Sequence, residues 1–384
     1  MMKEDKLLKR FWDNFRFPLL AIFLGFIVGA IFIVASDNSP VVAYKALFEG
    51  SLGGISKFGE TLYKTTPILF TGLSIAVAFR TGLFNIGAEG QYIMGTISAI
   101  AAGWYFQGLP HFALITVIIL SGALAGALWA SIAGFLKAKI GVHEVITTIM
   151  LNYTALHLTN YIVKAVLNPQ VLEGTPKQAH TVQLVEHGRL AKLSEFIPQF
   201  GYSSAHTGIF IGLFAAFAIY VLLFKTTLGY ELRSVGNSPD AAEYGGISKV
   251  RNIILAMAIS GALSGMAGAV QISGLLYKVT QTPAMPGYGF DGIAVALVGQ
   301  IHPIGIIFSA FLFGILSNGA RKMQIAGIPK EVIGIIQGVI IVFVAADQLF
   351  KILEKRKKAK EMKLKEMAEV EEMNNKKTGE SDER

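Results

Sequence analysis

Stretches of roughly 20 apolar residues recur along this chain, each long enough to cross a hydrocarbon layer as a helix. The constraint is severe, because hydrocarbon satisfies no backbone polar group and admits only helices or closed barrels. Candidate spans are 18–35, 62–79, 83–106, 112–136, 145–167, 207–225, 252–273, 290–300, 303–321 and 331–350. The eighth is too short to cross unaided, so 290–321 reads as a broken or tightly hairpinned pair. The expected fold is all-α, a polytopic membrane helix bundle of about ten spans with broken helices. Composition agrees: 53% of residues are hydrophobic and 16% charged, where a soluble domain carries roughly a quarter charged. The 41 glycines among 384 residues suit closely packed spans.

Basic residues set the expected orientation. Lys3, Lys6, Lys9, Arg10 and Arg16 place an N-terminal arm, 1–17, in the cytoplasm. The arm is too charged, and lacks the small-residue cleavage site, for a removed signal peptide. Lys137, Lys139, Lys225, Arg233, Lys249 and Arg251 then fall inside, as does the tail 351–384 with its basic start, so both termini are cytoplasmic. Arg321, Lys322 and Lys330 are the exception, since this topology puts them outside. The membrane-embedded core is 18–350, with an external loop at 168–206 and a cytoplasmic loop at 226–250. The net charge of +8 could suggest nucleic acid, but the basic residues gather at span ends and in the tail. That pattern speaks for topology and contact with anionic lipid of the bilayer, and against nucleic acid.

One segment breaks the apolar pattern. Phe84-Asn85-Ile86-Gly87-Ala88-Glu89-Gly90-Gln91 places a carboxyl group, two amides and two glycines between apolar runs. Such a break is tolerated only at the membrane edge, inside packed protein or beside a water-filled cavity. Function is expected to concentrate there. A second polar segment, Ser238-Pro239-Asp240-Ala241-Ala242-Glu243-Tyr244-Gly245-Gly246, reads as a short cytoplasmic helix. Its serine suits an N-cap, its proline the first turn and its glycines the stop, while Ala241, Ala242 and Tyr244 form a small apolar face. It serves either as a connector or as a docking helix for a cytoplasmic partner.

The runs Ser121-Gly122-Ala123-Leu124-Ala125-Gly126 and Ser260-Gly261-Ala262-Leu263-Ser264-Gly265 set small residues four apart, which favours close helix packing. Their similarity hints at an internal duplication. Enzyme signatures are missing. Gly54-Ile55-Ser56-Lys57 and Gly246-Ile247-Ser248-Lys249 lack the glycine spacing of a phosphate loop, and His143-Glu144 has no second histidine at zinc-protease spacing. There is no cysteine for a nucleophile or thiolate metal site.

Phe84–Gln91 followed by Tyr92-Ile93-Met94-Gly95 resembles the signature of ABC-importer permeases of the branched-chain amino acid/ribose superfamily. Glu144–Tyr153, the G-N-x-x-x-A-A-x-x-x-G-I pattern at Gly236–Ile247, and Gly289–Leu297 fit as well. Within the superfamily the chain is most similar to nucleoside and simple-sugar permeases that work with basic-membrane-protein lipoproteins. The resemblance implies a transport subunit, not an enzyme, in the bacterial cell membrane. It implies no cofactor on this chain, with ATP and Mg held by a separate ABC ATPase. It further implies a substrate-binding lipoprotein and a second permease as partners. Ser238, Pro239, Asp240, Ala241, Ala242, Glu243, Tyr244 and Gly245 would form the ATPase-coupling helix. Uptake of nucleosides leads, with simple sugars as the alternative. An ion-coupled secondary transporter and a membrane-embedded transferase lie further off.

Alternating access needs polar groups at a helix break, and the candidates are Asn85, Glu89 and Gln91 at the first break and Asp291 at the second. Asn152 and Gln271 could offer amides to a ribose or base edge, and Phe84, Tyr92 and Tyr153 could stack on a base. Each has a plainer role open to it. Glu89 could satisfy backbone amides or pair with Arg80, and Asp291 could cap its helix. Asn152 and Gln271 could join helices, and the aromatics could simply pack.

Overall fold

The computed structural model describes residues 2–329, 331–344 and 346, with side chains from Leu19 onward. The expectations for Lys330 and for the tail 351–384 lie outside the described residues, as do the side chains of the N-terminal arm. Contacts divide the chain into Val28–Gln337 and a second unit of Met1–Ile27 with Gly338–Arg384. The described part of the second unit is the beginning of α1 (Met2–Ala35) and the end of an apolar helix over Glu331–Val344.

Within Val28–Gln337 the elements are helical, as an all-α membrane bundle requires. After α1 come α2 (Pro40–Leu52), α3 (Ile55–Arg80), α4 (Ala88–Tyr105), α5 (His111–Phe135) and α6 (Glu144–Ala165). The short α7 (Pro169–Leu172) and α8 (Leu193–Phe196) follow, then α9 (Gly208–Lys225), α10 (Thr227–Asn237), α11 (Pro239–Tyr244) and α12 (Lys249–Gln271). α13 (Tyr288–Val298) and α14 (Pro303–Ile325) complete the series. Among the described residues, five helical stretches are long and apolar enough to cross a membrane: Ile55–Arg80, His111–Ile140, Gly208–Lys225, Lys249–Leu276 and Pro303–Ile325. α6 has 22 residues and so spans roughly 33 Å, but it carries Asn152, His157 and Asn160 along its length.

α12 forms the centre because its small residues admit other backbones. A side chain on Gly261 would collide with the Gly126 carbonyl, and one on Gly265 with that of Gly122. The two small-residue runs therefore face each other across the α5–α12 contact, while Gly95 brings α4 onto Gly265. α3 buries hydroxyls by returning them to its own carbonyls: Thr65 donates to the Thr61 oxygen and Thr66 to that of Leu62, both at 2.8 Å.

The broken pair at 290–321 resolves into α13 and α14, joined by a tight turn in which Gln300 and Ile301 hold φ of 54° and 53°. Two helices go beyond the sequence reading, α2 and α10. Both carry charged residues and are short, so neither registers as a span. α5 and α12 each end in a π-helical turn, Leu136–Ile140 and Ile272–Leu276.

The 168–206 loop, which shows no period in sequence, folds onto the ends of α4, α5, α6 and α12. Val182 and Leu184 are buried with Ile97, Ile100, Ile118 and Ile272. The Leu184 and Leu190 N–H groups donate to the carbonyls of Tyr277 and Ser273 at 2.7 and 2.8 Å.

Candidate functional site

α3 stops where Gly82 turns to φ 74°, and the chain runs extended into Phe84–Gly87 before α4 begins. The polar groups of this break point inward. Asn85 and Gln91, at 0% and 1% exposure, form a reciprocal amide pair with both N···O distances 3.0 Å. Asn85 Nδ2 also donates to Ser260 Oγ at 2.8 Å, and Ser260 in turn donates to the Ser74 carbonyl at 2.7 Å. Ser264 donates to Ser74 Oγ at 2.8 Å. Asn152 of α6 is committed at both ends: its Oδ1 accepts the Gly90 N–H at 2.8 Å and its Nδ2 donates to the Ile86 carbonyl at 3.0 Å. A buried network thus ties the break to α3, α6 and α12.

Glu89 is fully buried and caps the second broken helix. Its Oε1 accepts the Gly287 N–H at 2.6 Å and its Oε2 the Gly289 N–H at 2.5 Å, where α13 has unpaired donors. Gly287, at φ 96°, supplies the left-handed turn that aims both N–H groups at one carboxyl group. Arg80 instead donates through Nε to the Ile301 carbonyl at 3.0 Å and lies over the Phe224 ring. Asp291 sits in the first turn of α13 with an exposed side chain that makes no hydrogen bond or ion pair among the described residues. The capping role open to Asp291 is filled from α4 by Glu89.

The other candidates scatter. Gln271 Nε2 donates to the Tyr63 hydroxyl at 2.5 Å and approaches that of Tyr288 at 3.4 Å, while its buried Oε1 has no partner among the described residues. Tyr92 is 2% exposed with its ring 5.2 Å from that of Tyr288. Phe84 rests against Phe79 at 5.0 Å, and Tyr153 is 54% exposed on the outer face of α6.

A half-open cleft of about 330 Å³ lies between α4, α6 and the segment after α12. Tyr92, Leu156, Thr159, Lys278, Met285 and Pro286 line it. Asn160 shapes its rim by holding Thr282, accepting from the Thr282 N–H at 3.1 Å and donating to its carbonyl at 2.8 Å. Thr159 and Lys278 are absent from the sequence-based candidates, because nothing in their neighbours marks them before the chain folds.

Beside the Arg80 end of α3, α11 begins after Ser238. Serine occupies the N-cap position, but its side chain accepts no hydrogen bond, a correction to the expected cap; its carbonyl accepts the Ala242 N–H at 3.0 Å. Pro239 follows at the first helical position, and Gly245 closes the helix with its N–H on the Ala241 carbonyl at 3.1 Å. The apolar face also divides. Ala242 is buried with Leu83, Val235 and Ile253, whereas Ala241 is exposed and Tyr244 is 96% exposed. Asp240 lies 3.5 Å from Lys249, and Glu243 is exposed. Gly236, at the end of α10, abuts the Arg80 carbonyl so closely that a side chain would collide. The α10–α11 segment therefore rests directly on the start of the break.

These features define a polytopic all-α membrane protein whose spans are interrupted by buried, hydrogen-bonded polar breaks. Residues 58–345 match the family described as the permease component of the branched-chain amino acid transport system, and the chain belongs to that family. It is a transport component of an ABC assembly, not an enzyme. The chain is 43% identical over 331 residues to the guanosine ABC transporter permease protein NupP of Bacillus subtilis, covering 86% of this chain and 92% of that one. It is 37% identical to the nucleoside ABC transporter permease protein NupB of Lactococcus lactis, over 89% of this chain and 93% of that one. A glucose ABC transporter permease protein, TsgB13 of Haloferax volcanii, is 31% identical over 88% and 89% of the two chains.

Proposed function

We propose that this chain is the permease subunit of an ATP-driven importer that carries nucleosides across the bacterial cytoplasmic membrane. The observation that carries the reading is the 43% identity, sustained over 86% of the chain, to a guanosine permease. A separate ATPase would hold ATP and Mg and dock on Pro239–Gly245, a substrate-binding lipoprotein would deliver the nucleoside, and a second permease would complete the pore. The exposed Tyr244 and Glu243 give the ATPase a surface to grip. The contact of Gly236 with Arg80 gives a direct route from that surface to the break. Among the residues of the break, Asn85, Glu89, Gln91 and Asn152 act as its frame, with Gln271, Tyr153 and Asp291 left for the path.

Uptake of radiolabelled guanosine by cells expressing the complete transporter, against cells lacking this chain, tests the proposal. Chain-dependent uptake that resists excess glucose and ribose is the expected result. Uptake of sugar alone would overturn the nucleoside assignment, and uptake driven by a proton or sodium gradient with this chain alone would overturn the importer itself.

A further inference from the structure

We propose that the cleft between α4, α6 and Lys278–Pro286 is a purine subsite that selects a 6-oxo over a 6-amino base; this rests on the nucleoside reading above. The cleft, at about 330 Å³, falls within the range of small-molecule sites. Its walls are mostly apolar, with Leu156, Met285 and Pro286 to enclose a flat ring. Against them stand three polar groups that the fold leaves unused.

Thr159 is 5% exposed, and its hydroxyl is buried without a hydrogen-bond partner among the described residues. A helical threonine ordinarily returns its hydroxyl to a carbonyl one turn back, as Thr65, Thr66 and Thr148 do here. A buried hydroxyl left unmade costs free energy, so its position on the cleft wall marks a group awaiting a ligand. Tyr92 presents a ring whose hydroxyl makes no hydrogen bond among the described residues. Lys278, also in the wall, has no ion pair or hydrogen bond among the described residues, whereas Lys137, also half-buried, pairs with Glu144 at 2.9 Å.

Lys278 tilts the polarity of this set toward donors, since the two hydroxyls can donate or accept. A lysine ammonium carries three donors and no acceptor, while the threonine and tyrosine hydroxyls can each donate. The ligand edge it suits presents adjacent acceptors. The O6 and N7 atoms of a 6-oxopurine do so and are a standard partner of lysine, whereas a 6-aminopurine turns a donor toward the ammonium at the same position. Tyr92 and the apolar wall accept either ring, and only Lys278 distinguishes them.

The test measures uptake of guanosine, inosine and adenosine by the complete transporter carrying Lys278→Met, Lys278→Arg or Thr159→Val. The expected result is a roughly tenfold loss of guanosine and inosine uptake in Lys278→Met, with adenosine changed less than about twofold. Lys278→Arg restores the preference, because arginine donates to the same pair of acceptors. Thr159→Val, which keeps the volume and removes the hydroxyl, raises the half-saturating concentration for all three. Equal losses for all three substrates in Lys278→Met, or an unchanged preference with intact uptake, overturn the subsite and leave the importer standing. Uptake of guanosine 5′-monophosphate in preference to guanosine, lost in Lys278→Met, would make the lysine a phosphate contact and also overturn it. Failure of the unaltered transporter to take up any nucleoside would instead overturn the nucleoside reading on which the subsite rests.

Discussion

Glu89 and Gly289 meet with the carboxyl Oε2 2.5 Å from the glycine N–H, and with the two backbones so close that a side chain on Gly289 would strike the Glu89 backbone. The first turns of α4 and α13, 200 residues apart in sequence, are thereby locked together. Both helix starts have unpaired N–H groups, and one buried carboxyl group accepts two of those on α13.

Glu89→Gln follows directly. Its amide oxygen can accept one of the two N–H groups, and its NH2 then faces the other donor with no acceptor to offer. The expected cost is about 2 kcal/mol of stability, the range for a lost hydrogen bond that strands a buried donor. A lowered thermal midpoint of the detergent-solubilised protein, read by tryptophan fluorescence, checks it. Unchanged stability with abolished uptake would move Glu89 from frame to path. Gly289→Ala fails more severely, through collision with backbone.

The α5–α12 contact predicts a contrast between two glycines. Gly126→Ala pushes a methyl group into the Gly261 carbonyl, whereas Gly108→Ala adds one in open space. Overpacking against backbone costs roughly 1–3 kcal/mol or more, and the exposed change stays within about 0.5 kcal/mol. Monodisperse yield by size-exclusion chromatography separates the two: Gly108→Ala behaves as the unaltered protein, and Gly126→Ala gives less folded material. Equal yields would mean that α5 and α12 stand further apart.

How much of this could be read from sequence depends on whether a residue's partner is nearby. Asn85, Glu89 and Gln91 stand out because polar side chains inside apolar runs need partners, and that rule is local. The partners are not. Nothing around Glu89 points to Gly287, and nothing around Thr159 points to Lys278, because tertiary packing alone brings those segments together. The small-residue runs were legible as contact faces, since the spacing of four carries its own geometry. That each run is the other's partner was not, and neither were the π-helical turns after α5 and α12, which follow ordinary helical sequence. The 168–206 loop hid its buried side because Val182, Leu184, Leu190 and Leu193 are scattered among polar residues with no repeating period.

The divided face of α11 predicts two unlike mutants. Tyr244→Ala removes a side chain that is 96% exposed, so stability should change by less than about 0.5 kcal/mol. Copurification of the ATPase should fall by about tenfold, the result of losing one aromatic anchor at an interface. Ala242→Asp places a carboxyl group among Leu83, Val235 and Ile253 and lowers folded yield itself. Full ATPase recovery with Tyr244→Ala would show that this tyrosine is not the grip.

His206 predicts the sign of a pH response. It lies between the folded loop and α9, 1% exposed, with Nδ1 accepting the Gly208 N–H at 3.1 Å and Nε2 buried without a partner among the described residues. Burial pushes its pKa down from 6.5 to about 4, so the native state holds the ring neutral while the unfolded chain protonates it near pH 6.5. Between those values the unfolded state binds more protons, and stability therefore rises with pH across that window. Acidification from pH 6.5 to 4 should remove about 3 kcal/mol through this one residue. His206→Asn offers Gly208 an acceptor that does not titrate, so the pH dependence of its thermal midpoint should be flatter than that of the unaltered protein by this amount. The neighbouring Tyr63 ring, 6.1 Å away edge to face, adds no charge to the imidazole below neutral pH. Parallel pH profiles for the two proteins would mean that water reaches the ring in the folded state.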